Sequence, residues 1–169
     1  MQMVKKIFFI FLLLWFALIL FMPKQELYFA LERIIAEQGI KINEKTIEEG
    51  TFGLQLKGIT VYAKGIKVAT AEQVSLVTLL FYNRIDIENL HTDKGLKSIV
   101  SLSLDHIVLS YSIVDPMHVY FSANGSTGEY KGSISLREHK AYFEQIEEKG
   151  QGTLKSFLKK DKQGWYYGF

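Results

Sequence analysis

Four histidines and a short run of carboxylates are the side chains of this chain best suited to metal or acid–base chemistry. His91, His106, His118 and His139 lie far apart, and none has a second histidine at i+2, i+3 or i+4. A zinc centre needs three or four convergent ligands, so these are read as scattered core and surface imidazoles. The mid-chain carboxylates are Asp86, Glu88, Asp93 and Asp105. Asp86 and Glu88 alternate with Ile85 and Ile87, which puts both on the solvent side of one strand. Such a pair could bind a cation or serve as acid and base; the expectation is a solvated polar face.

Nucleophile and phosphate motifs give no stronger lead. The chain has no G-x-S-x-G elbow, Walker lysine loop or Rossmann glycine pattern. Gly125, Gly128 and Gly132 form a loose series, but they precede a strand, and a phosphate cradle needs a helix N-terminus. They are read as turn glycines. Asn124-Gly125-Ser126 matches a glycosylation sequon and is read as accidental. Lys155, Lys159, Lys160 and Lys162 could meet anionic lipid or an acidic partner, and are read as a solvated helix face. No residue is assigned a catalytic, cofactor-binding or metal role, and the protein is expected not to be an enzyme.

Composition narrows the class. The chain has 169 residues, 48% hydrophobic and 14% aromatic, enough for one packed domain beyond the first 22 or so residues. Removing Lys5 and Lys6 from the 20 basic residues leaves 18, against 18 acidic residues, so the remainder is formally neutral. Nucleic acid is held through many Lys and Arg contacts to phosphate, and no such excess exists here. The absence of cysteine removes disulfides, thiolate metal sites and lipidated Cys. Cysteine-free domains are ordinary in bacterial envelopes.

The N-terminus carries the strongest single signal. Ile7–Met22 reads IFFIFLLLWFALILFM without a charge. As a helix it covers about 24 Å, a little short of the ~30 Å hydrocarbon core, and Lys5, Lys6 and Lys24 are expected to snorkel outward and make up the difference. Cleavage as a signal peptide needs small residues at the A-x-A positions, whereas Leu20-Phe21-Met22-Pro23-Lys24 is bulky. An uncleaved signal anchor is therefore expected over residues 1–23. Lys5 and Lys6 outweigh Lys24, which keeps the N-terminus cytoplasmic and sends the rest across the membrane.

Pro23 ends or kinks that helix. Gln25–Gly39 then reads as an amphipathic helix whose apolar face is Leu27, Leu31, Ile34 and Ile35, so 24–39 forms a unit of its own. It could lie on the bilayer, but Glu26, Glu32 and Glu37 suit packing on a sheet better. From Ile40 onward the apolar period becomes two. Strand signals occur at Ile40–Ile42, Phe52–Ala63, Ile66–Val68, Val74–Leu76, Ile85–Leu90, Leu102–Ile113, Val119–Ala123 and Tyr130–Leu136. Ala63-Lys64-Gly65 is a hairpin turn, and Asp115-Pro116 breaks the chain between two strands. Around Gly58 the strand changes parity: Phe52, Leu54 and Leu56 share one face, Ile59 and Val61 the other. Burying both sets on one side calls for a bulge with Gly58 at positive φ. Ala141–Ile146 is strand or helix, Thr153–Lys160 reads as helix, and Trp165-Tyr166-Tyr167-Gly168-Phe169 could close the sheet. The expected fold is mainly β: the two helices, one curved antiparallel sheet within 40–169, and a small C-terminal helix.

In layout the chain resembles the group that contains the N component of type II secretion systems and the AsmA-type envelope proteins. The stretches that carry the resemblance are Leu27–Gly39, Gly53-Leu54-Gln55-Leu56-Lys57-Gly58-Ile59-Thr60-Val61, Gly65–Ala69, Val74–Leu76, Ile85–Leu90 and Gly128–Leu136. The resemblance implies a non-enzymatic protein of the bacterial inner membrane with a periplasmic domain. The leading reading is an accessory or structural subunit of a trans-envelope assembly, acting through contacts of the sheet's face and edges; the alternative is a sheet that binds or transfers lipid. The implied partners are the bilayer, through residues 7–22, other envelope proteins and, in the second case, lipid. Lipid handling calls for apolar residues on both parities of several strands. Val74–Leu80 and Ile107–Ile113 go beyond one parity, but most strands alternate, which favours one packed and one wet face.

Overall fold

A computed structural model describes residues 2–79, 81–93, 103–126, 128–148, 157–161 and 164–169. Two helices, α1 (Gln2–Phe21) and α2 (Lys24–Glu37), precede an eleven-stranded antiparallel sheet. The strands are β1 (Ile40–Asn43), β2 (Thr46–Glu49), β3 (Gly53–Ala63), β4 (Ile66–Thr78), β5 (Tyr82–Thr92) and β6 (Ser103–Ser112). They continue as β7 (Asp115–Gly125), β8 (Gly128–Ser135), β9 (Lys140–Glu148), β10 (Lys159–Asp161) and β11 (Gly164–Gly168). Their order is β1-β3-β4-β5-β6-β7-β8-β9-β11-β10, with β2 also on β3. From β3 to β9 each strand pairs with the next in sequence, the outcome of alternating apolar segments joined by short turns.

α1 has the length and composition to cross a membrane, with a mean hydropathy of 2.4 over Met3–Phe21. Its first turns point their apolar side chains outward, while its last turns touch the sheet: Trp15 stacks on Phe81 and Phe16 meets Phe52 edge-on. Lys24 does not snorkel. It is buried, its Nζ donates to the Met22 carbonyl, and it pairs with Glu49 at 3.7 Å. A buried ammonium needs such partners, and Glu49 on β2 supplies the charge.

α2 packs against β1 and β3. The stripe it buries is Lys24 and Tyr28 with half-buried Ile35, whereas Leu27, Leu31 and Ile34 of the expected apolar face are exposed. Tyr28 inserts among Leu54, Leu56, Ile59 and Ala71, and its hydroxyl donates to Glu44 at 3.0 Å. Burial first, then that carboxylate, push the phenol well above its usual range.

Lys64 and Gly65 both take positive φ, as a two-residue hairpin turn requires. Beyond this turn β4 runs unbroken for 13 residues, joining two segments that read as separate strands. The chain reverses at Ile113-Val114 and not at Asp115-Pro116, which already belongs to β7. Pro116 falls where the β6–β7 register shifts, between the pairs Ser112↔Asp115 and Tyr111↔Val119. No ladder hydrogen bond is demanded of it there. β2 had no distinct sequence signal, its only apolar residue being Ile47. Ala141–Ile146 is strand, within β9, and the aromatic tail forms β11. A C-terminal helix is not shown among the described residues: Lys159 and Lys160 are in β10, whereas 153–156, with Lys155, and Lys162 lie outside the described residues.

Gly58 has φ +64°, and Leu54, Leu56, Ile59 and Val61 all pack on one side. The parity change is not confined to β3, however. The β3–β4 register continues unbroken past Gly58, from Lys57↔Gln73 to Ile59↔Ala71, because β4 switches parity at the same level. On β5 the switch falls at Asn89, with φ +53°, and its amide donates to Glu72 at 2.6 Å. Leu104 and Ile107 show the same offset on β6. One transverse discontinuity crosses four strands, and it keeps their apolar residues on a common face.

Candidate functional site

Reading across the registers gives apolar ladders that run the width of the sheet. One is Leu56–Val74–Ile87–Ile107–Ala123–Tyr130–Ile146. The next, toward α1, is Leu54–Leu76–Ile85–Leu109–Phe121–Gly132–Phe143–Trp165. Side chains at paired positions share a face, so these residues form one continuous apolar surface. The ladder between them on the other face is Gln55–Ser75–Asp86–Val108–Ser122–Lys131–Gln145. One face is apolar and the other wet, as the alternation predicts. The second parity does not supply an apolar surface, but α2 packs mainly on β1 and β3 and, among the described residues, no helix covers the rest of the single apolar face.

Coverage of the apolar face is uneven. Under α2, Leu54 and Leu56 are buried to 5% and 3% exposure. Farther along the same ladders Ile85, Ile107, Leu109, Phe121, Phe143 and Ile146 are only half-buried. A smaller buried cluster, Leu104, Ala123 and Tyr130, sits among them. The exposed Leu27 and Leu31 stand beside this face, because with Met22, Leu54, Leu76 and Thr78 they line a cleft of about 140 Å³. That cleft lies where the end of α1, the start of α2 and the open sheet face meet.

The polar candidates are on the wet face or at its margins. Arg84 donates to both Asp86 carboxylate oxygens at 2.8 and 2.7 Å, and His106 lies 3.6 Å from the same group. The Arg84 hydrogen bonds hold the Asp86 carboxyl below its usual range, against an opposing push from partial burial. Glu88 is exposed one rung away, opposite His106. His91 meets Ser103 at 2.9 Å, His118 meets Asp115 at 2.8 Å, and His139 lies edge-on to Phe169. The His118 and Tyr120 hydrogen bonds lower the Asp115 carboxyl in turn. Asp105 is exposed on β6, and Asp93 pairs with Lys67 at 3.7 Å. Each imidazole thus has a different neighbour, and no three His, Asp or Glu side chains converge as a metal site among the described residues. Gly125 and Gly128 pair with each other at the β7–β8 turn, and Gly132 lies within β8.

Sequence reasoning missed the cleft. Its signal was present in the pair Lys24 and Tyr28, four residues apart, a spacing that puts both on one helix face. A lysine there was assigned to the membrane surface.

What fold and site define is a large antiparallel sheet that follows an apolar N-terminal helix and has one half-open apolar face. No protein-family model, curated protein or solved structure matches the chain.

Proposed function

We propose that this protein is a non-enzymatic, single-pass anchored protein of the bacterial inner membrane whose open sheet face binds the hydrocarbon of a lipid. The observation that carries the reading is the pair of apolar ladders, buried under α2 and half-open beyond it. Monomeric soluble proteins rarely leave so continuous an apolar surface open unless it serves a partner. The cleft among Met22, Leu27 and Leu31 supports lipid as the occupant, since it leads from the end of the anchor onto that face. Lys24 is buried against Glu49, whereas Lys5 and Lys6 at the other end of α1 are exposed. That asymmetry supports a cytoplasmic N-terminus and a periplasmic sheet.

Edge pairing with a protein partner is less well supported. The edges are short and charged: β1 and β2 carry Lys41, Glu48 and Glu49, and β10 is Lys159-Lys160-Asp161. Such edges resist strand addition. The second reading, an accessory subunit of a trans-envelope assembly, therefore rests on the breadth of the apolar face, which could equally receive an apolar protein surface.

Native mass spectrometry of the full chain, extracted from membranes in mild detergent, tests the leading reading. Bound lipid is expected on the wild type and should be lost from Leu109→Asp, while Ser110→Asp on the wet face retains it. Equal lipid occupancy in all three proteins would contradict the reading.

A further inference from the structure

The two ends of the sheet differ in a way that the face-binding reading does not use. At the end where α1 touches the sheet, the chain reversals and the terminus carry Phe52, Phe81, Ile113, Val114, Leu136 and Phe169. All are exposed, Val114 to 90%. Hydrogen bonds hold these reversals against their neighbours: Thr78 donates to the Phe52 carbonyl, Ile113 to that of Phe81, Leu136 to that of Met117, and Phe169 to that of His139. At the opposite end the described turns present Lys64-Gly65 and Gly125-Ser126, and the exposed large apolar side chains are Ile40 and Ile66 among the described residues.

Immediately behind the apolar tips comes a band of tyrosines. Tyr82 opens β5 opposite Ser112, Tyr111 and Tyr167 lie one rung in, and Tyr120, Tyr142 and Tyr166 lie on the next. Two rungs correspond to roughly 7 Å. Apolar tips backed by a belt of tyrosine is the order of side chains found where protein crosses from hydrocarbon to headgroup. α1 fixes the depth independently. Phe81 and Phe52 meet it at Trp15 and Phe16, five or six residues before its end at Phe21, or roughly 8–9 Å along the helix. If α1 spans the bilayer, tips held at that level lie within the acyl layer, close to the depth reached by interfacial apolar helices.

We infer that this end of the sheet is seated in the outer leaflet of the membrane that α1 crosses, with the tips of the β4–β5 and β6–β7 turns in hydrocarbon and the tyrosine belt among the headgroups. The exposed Arg137 and Glu138 of the β8–β9 turn also lie at the headgroup level. The inference rests on the anchor reading of α1 and adds a second attachment to it. The sheet stands on the membrane along the row from β3 to β11 and does not swing on a tether. Its apolar face then meets the bilayer directly at its lower margin.

The cysteine-free sequence permits single-site labelling of the full chain. Val114→Cys, Lys64→Cys, Ser126→Cys and Leu12→Cys, each carrying an environment-sensitive fluorophore, are reconstituted in phosphatidylethanolamine–phosphatidylglycerol vesicles. Quenching by a lipid with a nitroxide on its acyl chain is compared with quenching by aqueous iodide. The labels at Leu12 and Val114 are expected to be quenched several-fold more by the nitroxide lipid than those at Lys64 and Ser126, and to be protected from iodide. A Val114 label open to iodide while Leu12 is in lipid would overturn the seating and leave the anchor intact. A Val114 label shielded from both quenchers would overturn it in favour of a protein contact. A water-exposed Leu12 label would remove the anchor reading and the seating with it.

Discussion

The stretch of sheet under α2 and the stretch beyond it are built from the same ladders, yet they end in different states. Leu54, Leu56 and Ile59 lie beneath Tyr28 and are closed off from solvent, whereas Leu109, Phe121 and Phe143 continue the same rows and stay half-open. Alternation fixes which face a residue takes, but not whether anything covers that face. The covered part holds the fold together, and the uncovered part is where an apolar ligand can add burial that folding has left undone.

The comparison is sharpened first by truncating matched positions. Leu56→Ala should lower stability by about 3 kcal/mol, since it removes a fully enclosed side chain and leaves a cavity. Leu109→Ala should cost only about 1 kcal/mol, because part of that side chain is already in water. Urea midpoints of the full chain in detergent would measure both. Equal losses at the two positions would mean that the far ladders are as closed as the near ones.

A second test concerns the discontinuity that holds both stretches on one face. Gly58→Val should destabilise by roughly 2 kcal/mol through strain at φ +64°. An added Cβ would meet mainly the movable Lys45 side chain, so the backbone sets the cost. Lys57→Val, on the wet face, should stay within about 0.5 kcal/mol. Equal unfolding midpoints for wild type and Gly58→Val would contradict the account of the row.

The smallest effect is expected on the wet face. The folded pKa of Asp86 lies below its unfolded value, with Arg84 hydrogen bonding as the first cause. Its contribution is therefore present above the unfolded carboxylate pKa and is lost as pH falls through the folded one. Asp86→Asn should flatten the acid limb of the stability profile by less than about 1 kcal/mol, screened by solvent. A carboxyl titrating at its ordinary value in NMR would show that the pair does not persist in solution.

Much of this architecture was legible in the sequence. The 16 uncharged residues from Ile7 to Met22 announced α1, and period-two runs announced β3, β5, β6 and β8 with one apolar and one wet side. The parity change at Gly58 was readable because five apolar side chains bracket it. Its spread was not, because on β4 the change is bracketed on one side only by the small Ala69 and Ala71, and on β5 it is marked on one side by Leu90 alone. Lys24 and Tyr28 escaped notice as a packing pair, since a lysine beside a membrane helix is ordinarily a snorkelling residue, and only the fold brings Glu49 to it. β2 was invisible because Thr46–Glu49 gains strand geometry from β3 and not from its own residues. The order of exposed side chains at the two ends of the sheet was likewise hidden, because the tips lie in separate turns far apart along the chain.

The most direct test of the central claim places a photo-activated amino acid at Leu109 or at the neighbouring Ser110 of the full chain in living cells. The two positions are adjacent in β6 but face opposite ways. The account predicts that light attaches a lipid to the protein at Leu109 in several-fold higher yield than at Ser110, which shares the rung of Tyr120 in the tyrosine belt, seen as a lipid mass on the corresponding peptide. Lipid adducts of equal yield at both positions, or protein adducts alone at Leu109, would contradict it.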